Sequence, residues 1–543
     1  MSISCLFLFS GCSMNEKIDV DMILYNGRIY TSDADFNQFE AIAISGDSIV
    51  ALGTSGEIQK RYHSTESIDL EQRTVFPGFI DAHCHFFAYG QDLQELDLKQ
   101  TVSFDDMINQ TVSYAQANNP SIVVGRGWNE ENWESKSTPS KYKLDALFPQ
   151  TPVVLQRIDG HAVLCNQAAL DLAGIDENTQ VQGGMVVKMG FNLTGMLVDK
   201  AADLVLDLLP EISLTQKINA LQAAERACFR AGLTTVSDAG LSLKIIQLID
   251  SLQKAGELNI RVYAMSNPDE EELNYFFESG PILSEKLIVR SIKLYADGSL
   301  GSRGALLKQP YCDEPSIYGL LQSEPSYYTD IMKRCLEHGF QVNTHCIGDS
   351  ANAMLLNMYG QYLKGVNDLR WRIEHAQVVD PKDRHLFKDF SIIPSVQPTH
   401  ATSDMYMARE RLCLEERLAG AYSYKSLLSE NQMIAFGTDF PVENISPIET
   451  YFAATNRIGK KGEAFRVEEA ITPKNAIMAM TAWAAHANFM ESFTGSLEIG
   501  KKADLIVLSN DITVLKTKAD TKNLMTVVDG KIVYNSGLVI EKN

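Results

Sequence analysis

Eight short apolar runs punctuate the chain between residues 76 and 436: 76–85, 234–236, 261–264, 291–295, 341–344, 371–374, 392–396 and 433–436. Helical stretches such as 214–231 and 327–338 separate several of them. Such alternation predicts parallel strands joined by helical crossovers. Eight such units close into an α/β barrel of the (β/α)8, TIM type.

The rest of the chain is arranged around that barrel. Residues 101–210 exceed one strand–helix unit and carry strands of their own at 121–124 and 153–155, which predicts a large insertion after the first barrel strand. Residues 20–75 and 495–543 share a texture of short strands broken by the turns Asn26-Gly27, Gly46-Asp47 and Asp529-Gly530. Strands 22–25 and 28–30 read as one hairpin, 41–44 and 48–52 as another. The two terminal segments are expected to form one small β-sandwich, leaving 76–494 as the barrel domain.

Residues 1–19 read as a signal and anchor segment. An apolar run at 3–9 is followed by Ser10-Gly11-Cys12-Ser13, which resembles a bacterial lipobox with Cys12 as the lipidated residue. That predicts a protein anchored on the periplasmic side of a bacterial envelope. No Lys or Arg precedes the run and Phe9 stands where Leu is usual, so a cytoplasmic location is the alternative. The net charge of −21 argues against nucleic acid or an anionic membrane surface as partner, so membrane contact is expected only through Cys12. Nine cysteines form no CxxC pair and read as small core residues, not as a disulfide framework or zinc knuckle.

The first apolar run ends in His83-Cys84-His85. In a strand, residues i and i+2 face the same way, so both imidazoles can reach one metal ion. In a barrel of this type the active site lies at the C-terminal strand ends, and four more polar residues fall there: Lys293, His345, His375 and Asp439. Thirty residues separate His345 from His375 and 64 separate His375 from Asp439, close to one and two strand–helix units. Singly, each histidine is more often a hydrogen-bonded core residue than a ligand, and Lys293 could extend from a strand end. Together they predict a metal site.

The chain resembles the amidohydrolase superfamily, in the family 3 branch that includes N-substituted formamide deformylase and is related to D-aminoacylases. The segments that carry the resemblance are Phe76 through His85, Lys293 through Arg303, Arg372-Ile373-Glu374-His375-Ala376-Gln377, and Gly495 through Asp504. The resemblance implies metal-dependent hydrolysis of an amide, N-acyl or N-formyl bond in a small molecule. It implies two divalent ions, zinc by default with Mn, Fe or Co as alternatives, bridged by a carbamylated Lys293. His83 and His85 would hold one ion with Asp439, and His345 and His375 the other. Asp439 would also move the proton. His161 is the expected oxyanion contact, and Trp128, Asp159, His161, Asp297, Ser299, Arg303 and His400 the expected substrate contacts; Trp128 could instead pack the insertion. A mononuclear deaminase-type site and a non-catalytic binding lipoprotein are the competing expectations, and a homodimer is an open alternative to a monomer.

Overall fold

A computed structural model describes residues 17–130, 133–135, 139–158, 162–181, 184–209, 212–518 and 520–542, in two compact units, 1–86 with 225–543 and 87–224. In the first unit eight parallel strands follow one another in sequence order: β1 (Phe79–Cys84), β2 (Leu233–Leu241), β3 (Arg261–Ser266), β4 (Leu287–Tyr295), β5 (Gln341–Cys346), β6 (Arg372–His375), β7 (Ile393–Val396) and β8 (Ala435–Phe436). Past the strand ends, Asp439 N–H donates to His83 O and His85 N–H to Phe440 O, both at 2.8 Å, which brings β8 back beside β1. Gly437 permits that approach, because a Cβ there would stand 2.5 Å from His83 N. This is a TIM-type barrel, nearly closed.

The barrel interior packs Ile80, Ala82, Ala239, Tyr263 and Met265 against Ala484, Ala487 and Met490. Arg372 lies in the same interior, wholly buried, its guanidinium donating to Ala82 O and Asn488 Oδ1 and standing 5.1 Å from the Tyr263 ring centroid. This buried cation had no sequence signal, since its neighbours come from three distant segments.

Two further sheets join the chain ends. Thr74–Pro77 runs antiparallel to Leu505–Leu508, and Tyr62–Asp69 antiparallel to Glu541–Lys542. Leu24, Ile29, Ile42, Val75, Leu505 and Val527 share the core between them. The hairpins Ala41–Ser45/Ser48–Gly53 and Asn523–Val528/Lys531–Asn535 form where the turns foretell them. The expected hairpin of 22–25 with 28–30 does not form. Ile18–Tyr25 pairs with Ala41–Ser45 and Tyr62–Asp69, and the chain changes sheets at Asn26, so that Arg28–Tyr30 pairs with Thr74–Pro77. Asn26 has φ 59° and bonds Asp69 and Gln72, while a Cβ on Gly27 would meet Leu70 Cδ1 at 2.3 Å. Tertiary packing uses the turn residues as a crossover.

The second unit begins before the expected insertion boundary, because Leu96–Asp97 already pairs in parallel with Val123–Trp128. Its sheet has six strands. Trp128 is fully buried there beside Trp133, and its indole N–H donates to Leu155 O at 2.8 Å. Of the two expectations for Trp128, packing of the insertion is the one its burial fits; the ring has no free face for a substrate.

The cysteine expectation needs one correction. Cys84, Cys165, Cys228, Cys335 and Cys346 are buried and free, but Cys312 and Cys413 form a disulfide. Their sequence separation of 101 left no spacing signal.

Candidate metal centre

His83 and His85 leave the end of β1 with the rings edge-on, centroids 5.7 Å apart. His83 Nδ1 bonds Glu374 Oε2 at 2.6 Å, which turns Nε2 toward the barrel axis. A carboxylate on the far nitrogen fixes the tautomer and raises the basicity of a ligating imidazole. Glu374, on β6, was not expected; its partner is 291 positions away. His375 follows it in the strand, and its Nδ1 bonds Gln397 Oε1 at 2.7 Å. The His375 ring lies 4.7 Å from His83 and 4.5 Å from His345, centroid to centroid.

Asp439 completes the cluster. Its Oδ1 is 3.2 Å from His85 Nε2 and 3.6 Å from His83 Nε2. His375 and Asp439 both have left-handed backbones, φ 70° and 63°, an uncommon conformation concentrated at functional sites. The β1–β8 seam is fixed by Asp81, which accepts from Thr438 N–H and Oγ1 and from His83 N–H. Burial pushes the Asp81 carboxyl up to about 7.

Lys293 is buried on β4 in register with Asn343 of β5, its Nζ 4.7 Å from the Tyr295 ring centroid. Burial, with the positive charge of Lys293, drives His83 well below the ordinary imidazole range and His345 to about 4. Burial followed by the neighbouring His345 and His83 does the same to His375. These rings are therefore neutral, the form that binds metal. Burial alone would raise Asp439, but His400, His85, His83 and His375 outweigh it and hold the carboxyl well below the usual range.

The donor set suits a divalent ion. His83 Nε2, His345 Nε2 and Asp439 Oδ1 are buried without a hydrogen-bond partner, which is costly unless something else satisfies them. Neutral imidazole and carboxylate oxygen are the donors that Zn, Mn, Fe and Co accept. His83, His85 and Asp439 present ligand atoms all within 4.8 Å of one another.

The expected substrate contacts fare differently. His400, at the start of the helix Pro398–Ser403, reaches the cluster with Nε2 3.2 Å from Asp439 Oδ2. Asp297 does not face solvent: its carboxylate accepts from Leu306, Ile347 and Gly348 N–H at 2.8–2.9 Å, pinning the loops after β4 and β5. Burial raises it to about 7. It holds the loops in place, and its Oδ1 stands 3.8 Å from His345 Nε2. Ser299 is exposed, its Oγ 2.8 Å from Ser302 Oγ, and Arg303 pairs with Asp313 at 2.6 Å. Asp159, His161 and Cys12 lie outside the described residues.

A model of the amidohydrolase family matches residues 66–534. The chain is 33% identical over 539 residues to the protein LONG AFTER FAR-RED 3 of Arabidopsis thaliana, covering 95% of this chain and 92% of that one. It is 25% identical over 539 residues to the N-substituted formamide deformylase of Arthrobacter pascens, with 95% and 98% covered. Among solved structures, an uncharacterized metal-dependent hydrolase from Pyrococcus horikoshii OT3 is similar with a TM-score of 0.77 at 28% identity, covering 91% of this chain and 98% of that one.

Proposed function

The chain belongs to the amidohydrolase family, and from that premise we propose that it hydrolyses an amide, N-acyl or N-formyl bond of a small molecule. The observation that carries this reading is the set of buried ligand atoms without hydrogen-bond partners at the C-terminal strand ends: Nε2 of the neutral His83 and His345 rings and Oδ1 of the Asp439 carboxylate. His83, His85 and Asp439 would hold one divalent ion, His345 and His375 a second, with Lys293 as a carbamate between them. When bound, such ions supply hydroxide at neutral pH and polarise a carbonyl.

The remaining chemistry belongs to the chain. Asp439, kept ionised, takes the proton of the attacking water and delivers it to the departing amine. Glu374 and Gln397 keep the His83 and His375 rings turned inward. An ammonium at Lys293 would repel the ions, whereas its carbamate would carry a negative charge toward them.

Purified protein should carry metal and release amine or formate from a panel of N-acyl and N-formyl compounds. Lys293→Ala should lose at least one metal equivalent and nearly all turnover, with partial rescue by short carboxylic acids. Full loading and near-normal turnover in that variant would refute the bridge and favour a mononuclear deaminase-type site, read out as ammonia release.

An envelope location is part of the proposal. The Cys312–Cys413 disulfide supports it, because such bonds persist in oxidising compartments and are rare in the cytosol.

A further inference from the structure

We propose that Tyr295 and Asn267 contact the substrate and select one that carries a hydrogen-bonding group next to the scissile bond. The inference rests on the hydrolase reading above and adds to it the place and chemistry of substrate recognition.

The candidate metal ligands come from the ends of β1, β4, β5, β6 and β8, and none from β2 or β3. The cluster is reached from one side. The side chains of His85 and His345, on β1 and β5, are 30% and 15% exposed, whereas His375, His400 and Asp439, toward β6–β8, are no more than 10% exposed. Tyr295 stands on the open side. It ends β4, two positions past Lys293 and so on the same face of the strand. Its ring centroid is 4.7 Å from Lys293 Nζ and 5.9 Å from the His345 ring centroid. Lys293 is buried and Tyr295 is 36% exposed, so the ring lies between the lysine and solvent.

The neighbouring strand ends leave room beside that ring. At Gly240, φ 112°, the register of β2 against β3 shifts, and such bulges are over-represented next to active sites. A Cβ on Gly240 would stand 2.9 Å from Tyr295 Oη and 3.1 Å from Asn267 Oδ1, so both polar atoms border space that only glycine leaves free. Asn267 and Gly240 are half-buried, and neither the Tyr295 hydroxyl nor the Asn267 carboxamide bonds a described residue. A phenol and a carboxamide together offer both a donor and an acceptor. An aromatic wall with a few free polar groups beside the reacting centre is how small-molecule sites fix orientation. The partner this pair fits is a carbonyl, hydroxyl or amide of the substrate adjacent to the bond that is cut.

The test compares N-acyl and N-formyl compounds that carry such a neighbouring group with alkyl analogues that lack it, using the full-length metal-loaded protein. Wild type should prefer the first class in kcat/KM. Tyr295→Phe, which keeps the ring, and Asn267→Ala should each lower kcat/KM for that class about 3–10-fold, mainly through KM, and leave the alkyl analogues unchanged. Metal content by plasma mass spectrometry should equal that of wild type in both variants. A wild type that does not distinguish the classes, variants that leave both classes unchanged or lower both equally, or metal lost from Tyr295→Phe would overturn the inference; the last would make Tyr295 a support for Lys293. In each of those cases hydrolysis by the wild type stands and only this inference falls. If the wild type hydrolyses neither class, the hydrolase reading falls and this inference with it.

Discussion

The barrel buries two charged clusters, one at each end of its strands, and they are built on opposite principles. At the N-terminal end, Arg261 opens β3 and gives Nε and Nη2 to Asp504 at 2.7 and 3.0 Å, Nη1 to Glu285 O at 2.9 Å, and a further Nη2 contact to Asp529. Asp504 is as fully used, since its oxygens also accept from Thr494 Oγ1 and Asp529 N–H at 2.9 Å. At the C-terminal end, Nε2 of His83, Nε2 of His345 and one oxygen of Asp439 are left without hydrogen-bond partners. Both clusters bear the desolvation cost of buried polar groups. Only the first offsets it within the protein. The second needs a ligand, so stability should reside at one end of the strands and chemistry at the other.

The largest expected effect breaks this division at the catalytic end. Asp439→Asn should lower kcat/KM by roughly 10²–10⁴, the range typical of a lost proton-transfer group. Its chelated form should melt no lower than the chelated wild type, measured by calorimetry. A large drop in melting temperature would place Asp439 among the structural charges.

Asp504→Asn is the converse. It strands a buried guanidinium, and removing one partner of such a pair costs about 3–5 kcal/mol. Urea unfolding should show that loss, while turnover per folded molecule holds. The Cys312–Cys413 bond is a covalent counterpart, and Cys312→Ser should cost about 2–4 kcal/mol under non-reducing conditions and nothing further on adding reductant.

How much of this was legible in the sequence follows from the range of each interaction. The barrel strands were readable because apolar run and polar end are adjacent in the chain, and His83 with His85 because a strand repeats every two residues. Lys293, His345, His375 and Asp439 were readable as strand ends. Glu374 beside His83 and Glu443 beside His400 were not, since their partners lie 291 and 43 positions away and no local pattern announces them. Asp297 misled for a related reason. It follows the Lys293 strand like a pocket residue, yet the backbone of two loops consumes its carboxylate. Trp128 and the Asn26-Gly27 turn were decided by packing.

The smallest effect sharpens the comparison with a partly exposed ion pair. Glu491 meets Arg370 at 2.8 Å and His486 at 3.4 Å. Burial works against its charge, but His486 and Arg370 lower the pKa from 4.5 to about 2. A carboxyl depressed in the fold contributes stability that is present above 4.5 and lost as pH falls through about 2. Glu491→Gln should flatten the acid limb of stability against pH within that window and cost no more than about 1 kcal/mol at pH 7, because solvent screens the pair.

The most direct measurement of the central claim, that the unpartnered cluster exists to bind catalytic metal, is the metal content of wild type against His83→Asn/His85→Asn, each purified folded and assayed on the N-acyl panel. The account requires at least one divalent equivalent per wild-type chain, depleted together with hydrolysis in the double variant. A wild type that hydrolyses the panel with no bound metal, or a double variant that keeps both metal and turnover, would contradict it.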